Sequence, residues 1–83
     1  MRWAIRGRAP VTPETNPWLH DAIAELARQA DVPAPRAWVS ADVAPNAFVF
    51  GRTTSSAELV VTRGLLETLN QDEVRAVLAH EIG

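Results

Sequence analysis

The stretch Asn70-Gln71-Asp72-Glu73-Val74-Arg75-Ala76-Val77-Leu78-Ala79-His80-Glu81-Ile82-Gly83 decides how the chain is read. Asn70 can accept a hydrogen bond from a first-turn amide, and Glu73 stands three residues later, which is the capping-box spacing of a helix start. Asp72 and Glu73 put negative charge where the helix dipole favours it. Val74, Val77, Leu78 and Ile82 then recur three and four residues apart, one apolar stripe that must be buried. The stretch is predicted to be a helix belonging to a core.

His80 and Glu81 ride on that helix. In the zinc-peptidase motif H-E-x-x-H, two histidines four residues apart project from neighbouring turns toward one metal, and the glutamate acts on water at that metal. Four residues return to nearly the same face because each residue turns the helix by about 100°. His80-Glu81-Ile82-Gly83 supplies the first four letters, and the fifth would be residue 84. Taken singly, the two residues also have plainer readings. His80 is then an imidazole meeting the negative end of the dipole, and Glu81 a solvated carboxylate or a partner for Arg75.

Working back along the chain, Leu65, Leu66 and Leu69 predict a short amphipathic helix that Asn70 stops. Glu58-Leu59-Val60-Val61-Thr62, Asn46-Ala47-Phe48-Val49-Phe50 and Ala37-Trp38-Val39-Ser40 read as strands. Gly51 and the polar run Arg52 to Ser56 separate the last two strands and make an antiparallel pair the economical expectation. Trp38, Phe48 and Phe50 are expected to pack a core face, with a ligand-stacking set as the alternative. Asn16-Pro17 reads as a helix start, with Asn16 as the capping acceptor and a stripe of Trp18, Leu19, Ile23, Leu26, Ala27 and Ala30 ended by Pro33 and Pro35. His20, beside Asp21, is expected on the surface. Residues 1–15 mix Arg2, Arg6 and Arg8 with Pro10 and Pro13 and read as an extended lead-in without an element. Trp3 and Trp18 are placed as edge cover. The fold class is α+β: helix, three-stranded mainly antiparallel sheet, short helix, helix.

Eighty-three residues can form at most one small domain with a modest core. The chain has no cysteine, so disulfides and thiolate zinc sites are both excluded and any metal must use His and carboxylate. A net charge of −2 gives no support for nucleic acid as a partner. No apolar run is long enough to span a bilayer and no signal-peptide core is present, so the chain as given is expected to be soluble. The arginines of the lead-in are a solvated tail or, alternatively, a basic cluster beside a membrane helix outside this sequence.

Three separated segments together resemble one family. Pro45-Asn46-Ala47-Phe48-Val49-Phe50-Gly51-Arg52, Leu59-Val60-Val61-Thr62-Arg63-Gly64-Leu65-Leu66 and the segment from Leu69 through Gly83 look like the HtpX-type zinc metallopeptidases, which also include the CAAX prenyl proteases. The likeness covers residues 16–83 in element order and is most specific from Asn46 onward. It implies that His80 is the first zinc ligand and Glu81 the general base toward the metal's water, whose pKa zinc lowers to about 7. It also implies that Asn46, Ala47 and Phe48 lie on a strand that docks an extended protein or peptide substrate.

The second histidine and the family's later glutamate ligand would fall beyond Gly83. The chain is therefore expected to be part of a catalytic domain, residues 16–83, that by itself neither holds zinc tightly nor cleaves peptides. What the resemblance implies for the parent is a membrane-embedded endopeptidase with this domain facing the cytoplasm, acting on damaged membrane proteins. Self-association of the part is a further expectation. The competing readings are a non-catalytic interaction or regulatory module on the same scaffold, and a structural fragment with no activity of its own.

Overall fold

The computed structural model describes residues 7–51 and 56–83. Arg2, Trp3, Arg6 and the turn residues Arg52 to Ser55 lie outside the described residues, and with them most of the expected basic cluster. The elements run β1 (Arg8–Pro10), α1 (Pro17–Ala30), β2 (Arg36–Ser40), β3 (Ala47–Phe50), β4 (Glu58–Thr62), α2 (Arg63–Thr68) and α3 (Gln71–Ile82). The strands form one sheet in the order β1-β2-β4-β3.

The class is α+β as expected, but the sheet is mixed and has four strands. β3 and β4 are the expected antiparallel pair, with Ala47 opposite Val61 and Phe50 opposite Glu58. β4, however, lies between β3 and β2 and runs parallel to β2, Arg36 opposite Glu58 and Ser40 opposite Thr62. The cause is legible in β4 itself. Leu59, Val60 and Val61 are 0%, 1% and 0% exposed, and a strand with three successive apolar residues buried on both faces belongs in the middle of a sheet.

The lead-in also contributes a strand, since Arg8, Ala9 and Pro10 pair antiparallel with Ser40, Val39 and Trp38. A proline is tolerated there because β1 is an edge.

The core lies on one face of the sheet. Leu19, Ile23 and Leu26 of α1, Leu65 of α2, and Val74 and Leu78 of α3 pack with Ala47, Leu59 and Val61, and Ala37, Val39, Val49, Val77 and Ile82 border them. Side chains alternate across a strand, so Trp38, Phe48 and Phe50 belong to the other face, where Trp38 and Phe48 stand opposite Val60 on its two sides. This corrects the expectation that the aromatics line the core. The small members of β2 and β3 face the helices, where α1 and α3 need room. The large ones cover Val60, with Phe50 remaining 44% exposed. Trp38 donates its indole N–H to Glu58 at 2.9 Å, and the Arg36 guanidinium stands 5.9 Å from its ring.

The helix ends show which local signals were used. At α3, Glu73 N–H donates to Asn70 Oδ1 and Asn70 N–H to Glu73 Oε1, both at 2.9 Å, closing the expected capping box. At α1, Pro17 starts the helix but the Asn16 side chain makes no capping bond. The entry is instead fixed by Thr12 and Thr15, whose N–H groups each donate to the other's hydroxyl at 3.1 and 3.0 Å. α1 stops at Asp31, which takes a left-handed conformation with φ 59°. Val32 N–H returns to the Ala27 carbonyl at 3.0 Å and Asp31 N–H to Arg28 at 3.1 Å, the hydrogen-bond pattern of a Schellman end.

Candidate active site

The last turns of α3 carry His80 and Glu81, and the helix is held from below. Val74 and Leu78 are 2% and 0% exposed, α3 packs against β3 and α1, and Arg75 stands over the Trp18 ring at 5.9 Å. Arg75 is thus engaged with α1 rather than with Glu81. His80 is exposed and Glu81 half-buried. Among the described residues, neither side chain is tied by a hydrogen bond or an ion pair. The Glu81 side borders a small apolar recess of about 110 Å³ lined by Val32, Pro33, Pro35, Val49, Ala57 and Ile82. The recess places the carboxylate's residue beside the edge strand.

Of the three positions predicted for substrate, each does something different. Ala47 is buried in the core at 9% exposure, Phe48 covers the opposite face of the sheet, and Asn46 is exposed just before β3. What β3 offers in common is backbone at an edge. Thr62 N–H donates to the Asn46 carbonyl at 3.0 Å, so the ladder groups of Phe48 and Phe50 turn toward β4 and those of Ala47 and Val49 turn outward. Asn46 Oδ1 accepts from Ala47 N–H at 2.9 Å.

A catalytic zinc takes three protein ligands. Among the described residues, no group of three or more His, Cys, Asp or Glu side chains could hold a metal. His80 is the right donor type, one imidazole without its companions, so the described residues do not by themselves fit a metal centre. His20 belongs to no such group; it contacts Asp21 at 3.4 Å on the surface of α1, as expected.

Two positions that shape this edge were not singled out from sequence, Thr62 and Gly64. Thr62 Oγ1 accepts from Asn46 N–H at 2.9 Å and donates to the Ala44 carbonyl at 2.7 Å. Gly64 lets the 42–46 loop pass so close that a Cβ there would lie 2.0 Å from the Val43 carbonyl oxygen. The available signal was a threonine three residues before Leu65 at a strand-to-helix junction, an N-cap spacing.

The profile of Peptidase family M48 matches residues 13–83. The chain is similar to a "Protease HtpX homolog" of Persephonella marina, 51% identical over 69 residues, covering 83% of this chain and 24% of that protein. It is also similar to homologues of the same name from Sulfurihydrogenibium, 41% identical over 80 residues, and Aquifex aeolicus, 45% identical over 79 residues. These cover 96% and 95% of this chain and 27% and 26% of the relatives. The chain thus spans about a quarter of the length of the relatives it matches. A capped core helix carrying His80-Glu81 in its last turn, an apolar edge strand beside it, and these matches together place the chain in the M48 peptidase family, among its HtpX-type members.

Proposed function

We propose that this chain supplies the edge strand and the first half of the metal motif in the catalytic domain, residues 16–83 onward, of a longer zinc-dependent endopeptidase. With the remaining ligands supplied by the rest of that protein, His80 would be the first metal ligand and Glu81 would take the proton from the attacking water. Zinc, when bound, supplies Lewis acidity toward that water. Asn46, Ala47 and Phe48 begin the strand along which an extended protein or peptide substrate is added, through the outward backbone groups of β3. The longer protein is membrane-bound, with this domain on the cytoplasmic side, and serves protein quality control. None of the described helices is long and apolar enough to cross a membrane, so the anchor in this reading lies in other segments.

The single observation that carries the reading is the His80-Glu81 turn on a helix packed against the β3 edge. The expected zinc affinity follows from the ligand count. One imidazole without companions is not a catalytic site, so the chain of 83 residues binds zinc weakly and does not hydrolyse peptides.

The test has two arms. Zinc titration of this chain by calorimetry should show no tight stoichiometric binding, and tight binding would overturn that part. In the longer protein, His80→Ala should abolish both bound zinc and peptide hydrolysis. Retention of both, or a wild-type longer protein that binds partners but cleaves nothing, would favour a non-catalytic module.

A further inference from the structure

Thr62 ends β4 and caps α2, and it is 2% exposed. As an N-cap residue it turns its own carbonyl into the helix, so Asn46 N–H loses the partner it would have in a continuing ladder. The hydroxyl substitutes for that carbonyl. It accepts from Asn46 N–H at 2.9 Å and from Leu65 N–H at 3.1 Å, and donates to the Ala44 carbonyl at 2.7 Å. Two residues on, Gly64 N–H donates to the Asp42 carbonyl at 3.1 Å. The 42–46 loop is therefore held at two points just before it becomes the sheet's edge.

We infer that Thr62 is a positioning residue whose hydroxyl sets where the docking edge of β3 begins. With Asn46 held by Thr62, its Oδ1 reaches Ala47 N–H and occupies the first outward donor from within the chain. The next outward donor is Val49 N–H, on a residue that also lines the recess beside Glu81. An added strand meets the Ala47 carbonyl as an acceptor and Val49 N–H as its first free donor, in a register fixed relative to α3, and the ligand class is an extended peptide that places an apolar side chain toward that recess. Thr62 itself touches no peptide; it acts through Asn46. The inference rests on the reading of β3 as the peptide-docking strand.

The experiment compares Thr62→Val, which keeps the shape and removes the hydroxyl, with Thr62→Ser, which keeps the hydroxyl. Amide exchange and a titration with an end-blocked hexapeptide of alternating valine and threonine are followed by NMR on the chain of 83 residues. In wild type the peptide should shift the Val49 amide. In Thr62→Val the Asn46, Ala47 and Leu65 amides should exchange about tenfold faster relative to those of Leu59, Val60 and Val61, with peptide affinity about tenfold weaker, the loss expected when buried donors lose their acceptor. Thr62→Ser should restore both.

A uniform loss of protection through β4 with unchanged affinity of the folded fraction would overturn the positioning role, as would failure of the serine variant to rescue. Absence of any peptide effect at Val49 in wild type would overturn the docking edge. Failure of the peptidase reading looks different: peptide bound at Val49 and no hydrolysis in the longer protein.

Discussion

Gly64 shows how little freedom single positions have around the edge strand. It is buried, and a methyl group there would meet the Val43 carbonyl at 2.0 Å and the Ala44 carbonyl carbon at 2.9 Å. These are backbone atoms that cannot rotate away, so Gly64→Ala should cost at least about 2 kcal/mol, the range of overpacked interiors, read as a lower urea midpoint with unchanged slope. The candidate residues are local patterns at this scale, His80-Glu81 a short motif within α3 and Asn46 the residue just before the strand that holds Ala47 and Phe48. Thr62 and Gly64 were not legible in the sequence, since their importance comes from a loop that crosses them from some twenty positions earlier in the chain. No local pattern announces such a crossing.

Individual elements followed their local chemistry closely. The capping box at Asn70 and Glu73 formed as the spacing predicts, while the cap expected at Asn16 did not, because Thr12 and Thr15 had already fixed the entry to α1. The two asparagines should therefore differ on substitution. Asn70→Ala should lower stability by about 1 kcal/mol, a typical cap loss, and Asn16→Ala, with no side-chain capping bond to lose, by less than about 0.5 kcal/mol. Thermal or urea unfolding of the two variants side by side checks this. Strand pairing was less legible than strand position. Arg8-Ala9-Pro10 is too short and too proline-bound to read as a strand, yet at an edge it needs only one partner. The central place of β4 follows from its apolar run Leu59-Val60-Val61, buried at every position, with β2 parallel on one side and β3 antiparallel on the other, whereas the turn signals alone favoured a simple antiparallel meander.

At the scale of the whole molecule, the sheet divides two unlike surfaces. One is the helical core, and the other is an aromatic layer of Trp38, Phe48 and Phe50 over Val60. Stability should be concentrated on the first. Leu78→Ala, at 0% exposure, should cost roughly 2 to 5 kcal/mol, while Phe50→Ser, at 44% exposure, should cost about 1 kcal/mol or less. Equal losses in urea titrations would mean the core has been assigned to the wrong face. The division also serves the proposed chemistry. The helical core fixes α3 against β3, so the turn carrying Glu81 and the outward backbone of the edge strand are held by the same packing.

The most direct measurement is the rate of peptide hydrolysis by the longer protein carrying Glu81→Gln, at zinc content matched to wild type. A carboxylate acting as the proton acceptor predicts a fall in kcat of about a hundredfold or more with zinc retained. A variant that keeps its zinc and hydrolyses peptide within about twofold of wild type, far short of the loss expected on removing a general base, would contradict the account.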